Sequence, residues 1–321
     1  MTTMRAITMP GPGGPEVLAL ADVPVPARVN AELLVKVIAA GVNPIDAKTR
    51  SGKGAAAGIT HFPVVLGNDF SGVVVEAAYE GHPLQPGAEV YGMTHVPRAP
   101  GAYAEFITVN AISVAKKPPT LSHVEAAAVP LAALTAWGMV VDTAKAHEGQ
   151  RMLIHAAAGG VGHLAVQIAA YFGAHVIATG SARNATWLRE LGAAEVIDYT
   201  TQRFEDVTDP VDVVIDLVGN AIDSTSTRSL ALLRPGGLII NGPSGSWPTL
   251  TTDCAAARVR GTSFRVTPDA ATLAVISRLI DSGDLRVFVD QIFELADAAD
   301  AHRAIETGHT RGKIVLTVAE G

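Results

Sequence analysis

Apolar residues follow two different rhythms along this chain. Up to about Pro118 they come in strand-length runs, such as LLVKVIAAGV at 33–42, VVLGNDFSGVVVEA at 64–77 and GAYAEFITV at 101–109. Gly and Pro cut these runs apart, as turns between strands require. From about 122 to 265 apolar runs alternate with helix-length stretches: MLIHAA then GGVGHLAVQIAAYFGA, HVIATG then NATWLRELGA, then EVIDY, then VDVVIDLVG and a polar helix, closing on RPGGLIINGP. Strands alternating with helices of this length predict a parallel sheet with helices on both faces. VDVVIDLV and LIIN are nearly all apolar, the composition of strands buried on both sides. The tail predicts two helices (LAVISRLIDSG and ADAADAHRAIETG) and a last strand, KIVLTV. One domain interrupted by another is the expected plan: residues 1–122 and 266–321 form a strand-rich unit, and 123–265 the parallel α/β unit.

The chemistry starts where MLI gives way to a helix. Residues Ile154 to Gly162 (IHAAAGGVG) fit AxxGxxG, a variant of the dinucleotide fingerprint. Gly159 lets the backbone approach a pyrophosphate, Gly162 lets the helix pack closely on the strand, and Ala158, Gly160 and Val161 complete the candidate loop. The helix beyond presents unpaired N–H groups and a partial positive charge to an anion. At the end of the next strand an NAD site usually carries an acid for the ribose 2′-hydroxyl. The chain has Thr179-Gly180-Ser181-Ala182-Arg183-Asn184 there, without an acid. Arg183 can pair with a 2′-phosphate and Ser181 can donate to it, with Tyr199 reaching from the neighbouring strand end. NADPH is therefore the expected cofactor, the competing reading being that Arg183 is a solvated surface charge. Asn241 and Gly242, after LII, stand at the C-terminal edge of the sheet, where doubly wound folds bind ligands.

Composition narrows the class. At 321 residues the chain exceeds what one core usually supports, and 48% hydrophobic with 17% charged residues fits a globular enzyme. A net charge of −7 argues against nucleic-acid and acidic-membrane partners. There is no apolar run of about 18 residues and no signal-peptide core, so a cytoplasmic protein is expected. Cys254, the single cysteine, can form neither an internal disulfide nor a thiolate cage.

AAGVNPIDAKTRSG, FPVVLGNDFSGVV, AAAVPLAALTAW, HAAAGGVG and GHTRGKIVL follow one another as in quinone oxidoreductases, zinc-independent members of the medium-chain dehydrogenase/reductase superfamily. The chain also resembles plant enone and alkenal reductases. The resemblance spans essentially the whole chain. It implies a Rossmann domain inserted into a GroES-like catalytic domain, usually in a homodimer, with a small-molecule quinone or enone as substrate. Alcohol-dehydrogenase relatives place zinc ligands where this chain has Asn43, Asn68 and about Leu131, none of which is a good ligand. His61 and His95 form no ligand-like pair. Without a Lewis acid, reducing a conjugated acceptor is the easier chemistry, because the acceptor spreads the incoming charge.

Lys48, in the NPIDAKTRSG loop, is the candidate donor to the acceptor oxygen, where the best-known quinone reductases carry Tyr. It could instead pair with Asp46 or Asp69, or hold the cofactor ribose. The resemblance puts Asn43 beside the nicotinamide, positioning cofactor or substrate, and brings Thr135 towards the same ring. Lys313, in RGK, is either a cofactor contact or a last-strand ion-pair partner. Loops 51–62, 93–101 and 244–268 are expected to line an apolar pocket. An NADPH-binding sensor with little turnover and a biosynthetic enoyl reductase remain alternatives.

Overall fold

A computed structural model describes residues 2–95, 97 and 101–319, so Val96 and 98–100, within the expected pocket loop, lie outside the described residues. The chain divides into two compact units, Met1–Leu134 with Thr267–Gly321, and Thr135–Val266. The first crossing falls later than 122/123 because the helix His123–Ala127 packs on the strands Glu32–Val42, Asp69–Glu76 and Lys313–Thr317 of the first unit.

In the first unit a seven-stranded sheet runs in the order Val289–Glu294, Lys313–Thr317, Glu32–Val42, Asp69–Glu76, Glu89–Met93, Val114–Lys116, with Phe106–Asn110 also paired to Glu32–Val42. Glu32–Val42 is its spine, and both its faces are apolar. Leu33, Val35, Val37 and Val42 enter the main core with Phe70, Tyr103, Ile107 and Leu316. Ala39 joins Ala127, Ala128 and Val315 on the opposite face. Small residues on that face bring the helix His123–Ala127 close. A Cβ on Gly41 would stand 2.4 Å from the Ala127 carbonyl oxygen and 2.9 Å from the Asp69 Cβ.

Register explains which residues meet at the end of this spine. Gly41 pairs with Asp69 and Val42 with Ile314, both antiparallel. Asn43, Asp69 and Lys313 are therefore neighbours across three adjacent strand ends, although 270 residues separate Asn43 from Lys313 along the chain. The NPIDAKTR segment is not the loop expected from its sequence. It forms the helix Pro44–Arg50, with Pro at its start and the Asp46 carboxylate accepting from the Asn43 backbone N–H at 2.8 Å. That pattern is a capping box written with Asn and Asp.

The second unit is a six-stranded parallel sheet in the order Glu195–Asp198, His175–Gly180, Arg151–Ile154, Val211–Asp216, Leu233–Asn241, Arg260–Ser263. Numbered by sequence within the unit, this is 3-2-1-4-5-6, the Rossmann order, and its topological switch point lies between Arg151–Ile154 and Val211–Asp216. Val211, Val213, Val214 and Ile215 are all buried, as a strand covered on both faces requires. The segment 244–268 is not one long loop. It contains the helix Leu250–Ala256 and the edge strand Arg260–Ser263. Only Leu250 and Cys254 of that helix are buried, and the strand RGTS shows no apolar alternation, so neither element left a periodic signal.

Gly41→Ala should destabilise the first unit by roughly 1–3 kcal/mol, because the obstructing atom is a backbone carbonyl that cannot change rotamer. Urea unfolding followed by circular dichroism measures this; an unchanged midpoint would show that the helix contact yields freely.

Candidate functional site

In the Rossmann unit the candidate loop runs from the end of the strand Arg151–Ile154 to the helix Gly162–Tyr171. The loop is anchored on both sides: the His155 N–H donates to the Ile215 carbonyl at 3.0 Å, and the Ala157 N–H to the Thr179 carbonyl at 3.1 Å. The left-handed Ala156 (φ 48°) turns the chain, and its carbonyl accepts from the Gly159 N–H at 3.0 Å. A Cβ on Gly162 would stand 2.2 Å from that same carbonyl oxygen, so only glycine lets the helix Gly162–Tyr171 begin so close to the turn. Gly159 has only that oxygen nearby, at 3.3 Å, leaving its outer side open. Ala158 is buried, while Gly160 and Val161 are half-buried. A glycine turn with an open side leads into the N-terminus of this helix, where the His163 and Leu164 N–H groups meet the Gly159 and Val161 carbonyls; the end of a helix dipole is electropositive towards an anion.

The other cofactor candidates lie at neighbouring strand ends of the sheet. Parallel register pairs Gly180 with Asp198, and the Tyr199 N–H donates to the Gly180 carbonyl at 3.3 Å, so Ser181 and Tyr199 leave neighbouring strand ends. Ser181 is half-buried and accepts from the Asn184 amide at 3.3 Å, Arg183 is exposed, and Tyr199 is 55% exposed. Asp198 does bring an acid to this edge, on the neighbouring strand. It accepts from the Thr200 N–H and hydroxyl at 3.0 and 2.7 Å, and these bonds lower its pKa. Asn241 ends its strand with its amide donating to Asp216 at 2.8 Å and its carbonyl accepting from Ser246 at 3.2 Å. The Gly242 N–H donates to the Asp216 carbonyl at 2.9 Å. Thr135 is buried on the helix Pro130–Trp137.

In the first unit the three strand ends hold a polar network that the sequence reading did not foresee. Asp69, fully buried, accepts from the Asn43 amide at 2.9 Å, from the Leu131 N–H at 2.7 Å and from the Lys313 ammonium at 3.5 Å. Lys313 also donates to the Asn43 side-chain carbonyl and, at 3.3 Å, to the Val42 carbonyl. Its three N–H donors are thus matched by three protein acceptors, which is the ion-pair reading of Lys313; a cofactor contact would have to displace one of them. Asp46 accepts from the Asn68 amide at 2.7 Å and the Tyr103 hydroxyl at 3.3 Å besides its capping bond. Tyr103 in turn lies 3.2 Å from His302. Asn43, Asn68 and Leu131, where zinc relatives carry ligands, are therefore joined through two carboxylates. Among the described residues no three His, Cys, Asp or Glu side chains are arranged to hold a metal ion. His61 and His95 are exposed and take no part.

Burial sets the electrostatics. It pushes Asp69 up and Lys313 down, and each is held back by the other's charge. Burial drives Asp46 up to about 7 against its hydrogen bonds to Asn43 and Asn68, with the charge of Asp69 adding to the rise. It also lifts Tyr103 well above the usual phenol range and takes His302 down to about 3. Two carboxylates share one ammonium, so the charge-balanced form is Asp69⁻ and Lys313⁺ with a protonated Asp46. Lys48 sits half-buried in the last turn of the helix that Asn43 and Asp46 cap. The N-P-x-D spacing was the available signal for Asp46. Nothing local marked Tyr103 or His302, which topology brings in from distant segments.

Two family models match: an alcohol dehydrogenase GroES-like domain over residues 29–119 and a zinc-binding dehydrogenase domain over residues 191–316. An NADPH-dependent alkenal/one oxidoreductase, chloroplastic, from Arabidopsis thaliana is 34% identical, the match covering 98% of this chain and 79% of the relative. The quinone oxidoreductase from Coxiella burnetii superimposes with a TM-score of 0.93 at 36% identity, over 99% of this chain and 100% of the other. The Escherichia coli quinone oxidoreductase complexed with NADPH gives 0.86 at 29% identity, over 98% and 100%. The chain belongs to the medium-chain dehydrogenase/reductase family, among the quinone oxidoreductases and alkenal/one oxidoreductases. No helix among the described residues is long and apolar enough to cross a membrane.

The raised Asp46 pKa carries a stability prediction with a definite sign. A carboxyl whose pKa rises from 3.8 to about 7 on folding contributes stability that is complete below the unfolded value and is lost as pH climbs through the folded one. For this group alone, stability should fall by up to about 1.4 kcal/mol per pH unit across that window. Asp46→Asn keeps the shape and removes the titration, so its stability should change less between pH 4 and 7. Urea midpoints of both proteins across this range decide the matter; parallel pH profiles would place Asp46 in its ordinary range.

Proposed function

We propose that this protein is an NADPH-dependent oxidoreductase that reduces quinones or activated C=C bonds of α,β-unsaturated carbonyls, without zinc. The observation that carries the reading is the pairing of the tight Ala156–Gly162 turn with a second-strand end that offers Ser181, Arg183 and nearby Tyr199. When bound at the Ala156–Gly162 turn, NADPH would supply a hydride to the conjugated acceptor. Lys48 donates to the acceptor oxygen as negative charge builds there, and the proton completes the two-electron reduction. The resulting hydroquinone or saturated carbonyl has gained one hydride and one proton. Asn43, engaged by Asp69 and Lys313, holds the start of the Lys48 helix and takes no proton itself. Thr135, Asn241 and Gly242 are assigned to cofactor contact in this reading. A homodimeric, cytoplasmic protein with a small-molecule substrate belongs to it as well.

Cofactor choice should rest on Arg183. NADPH should bind at least tenfold more tightly than NADH, on the order of 1.5 kcal/mol for a charge-assisted contact at an exposed position. Arg183→Ala should remove most of that margin while leaving NADH binding nearly unchanged. Fluorescence titration of both nucleotides reads it, and a variant that kept its preference would dismiss Arg183 as the determinant.

Turnover tests the reaction. Steady oxidation of NADPH with a simple quinone and with an enone is expected, whereas a sensor would show only bound-cofactor fluorescence. Lys48→Met should lower kcat and kcat/KM together, by roughly 10²-fold or more on the enone and less on the quinone, with KM little changed. Equal loss on both acceptors together with weaker NADPH binding would make Lys48 a cofactor anchor instead.

A further inference from the structure

Thr179 stands two residues before Ser181 and grips the cofactor loop twice. Its carbonyl takes the Ala157 N–H, and its hydroxyl oxygen lies 3.2 Å from His155 Nδ1. His155 is the first residue beyond the strand Arg151–Ile154, is only 1% exposed, and has its ring edge-on to Phe204 at 4.7 Å between centroids. Its Nε2 lies 2.9 Å from the Ser229 hydroxyl oxygen.

Each hydrogen bond that links Thr179, His155, Ser229 and Thr225 has one direction. Ser229 donates its single hydroxyl hydrogen to the Thr225 carbonyl at 2.7 Å, so it must accept from His155 Nε2–H. Burial keeps the imidazole neutral, its pKa pushed down to about 4. Nδ1 is then a lone pair, and it accepts the Thr179 hydroxyl hydrogen. A one-way sequence of donors runs from Thr179 through His155 and Ser229 to Thr225. It fastens the first residue of the pyrophosphate loop to the strand end leading to Ser181 and to the helix Thr225–Ser229.

We infer that His155 is a positioning residue for cofactor binding, which through Thr179 and Ser229 sets the spacing between the pyrophosphate loop and the strand end that takes the 2′-phosphate. The inference rests on the NADPH reading above. A dinucleotide must satisfy both places at once, so a slack joint weakens it. A ligand that uses only the strand end does not sense the joint.

The full-length chain is titrated with NADPH, NADH and adenosine 2′-monophosphate as wild type, Thr179→Val and His155→Phe, with thermal melts recorded separately. Thr179→Val deletes one hydroxyl at constant shape and serves if His155→Phe fails to fold. Each variant should bind NADPH roughly three- to tenfold more weakly, the scale of one net hydrogen bond, while adenosine 2′-monophosphate changes less than about twofold. The double variant should be little worse than either single one, because both break the same chain. Equal losses for both ligands, or no loss of NADPH affinity, would overturn the positioning role. Wild type binding NADH as tightly as NADPH would remove the NADPH reading itself, and this inference with it, before any variant is measured.

Discussion

A carboxylate with no water around it must be met by the protein, and the catalytic unit is arranged around one such group. Asp69 begins its strand fully buried, and its two oxygens take an amide, a backbone N–H and an ammonium. Those donors come from the residue that follows the spine strand, from the first turn of the helix Pro130–Trp137 and from the first residue of the last strand. An uncompensated buried charge costs several kcal/mol, so the cheapest state keeps all three segments together. The tail of the chain is thereby held to the spine by electrostatics as well as by strand pairing. The helix bearing Lys48 starts from the same point, since Asn43 both caps it and binds Asp69.

The Rossmann unit solves its own problem with hydroxyls, amides, an imidazole and one carboxylate. Its buried polar side chains His155, Thr179 and Asn241 at strand ends and Ser229 on a helix are hydrogen-bonded to one another, to Ser246, to the Thr225 carbonyl or to Asp216, which accepts from the Val218 and Gly219 N–H groups, Ser226 and Asn241. Fixed hydrogen-bond directions at the C-terminal edge of a parallel sheet leave the loops little freedom to reorganise. This is what a site needs if it is to bind a long, flexible dinucleotide at several points.

Much of this was legible in the sequence, for reasons that differ by residue. Strongly apolar, doubly covered strands such as VDVVIDLV announce themselves, and so does a glycine turn between a strand and a helix. The edge strand RGTS and the helix around Leu250 and Cys254 did not, because each has at least one solvent-facing side and too few apolar positions to set a period. The helix Pro44–Arg50 was missed because four of its seven residues are polar or charged, although its cap was present in Asn43, Pro44 and Asp46. Of the polar network, only residues close in sequence could be read together. Tyr103, His302 and Lys313 reach it through strand register and helix docking, which no local pattern encodes.

The same network explains how a chain of this family stays organised with amides at two zinc-ligand positions. A thiolate and an imidazole would be committed to a cation. Asn43 instead donates to Asp69 while accepting from Lys313, and Asn68 donates to Asp46. An amide can do both because it carries donor and acceptor on one rigid plane. The positive charge that balances the carboxylates comes from Lys313, a side chain covalently part of the last strand. Its cost is the desolvation of an ammonium, offset only while Asp69 stays ionised and Asp46 shares the burden by holding a proton.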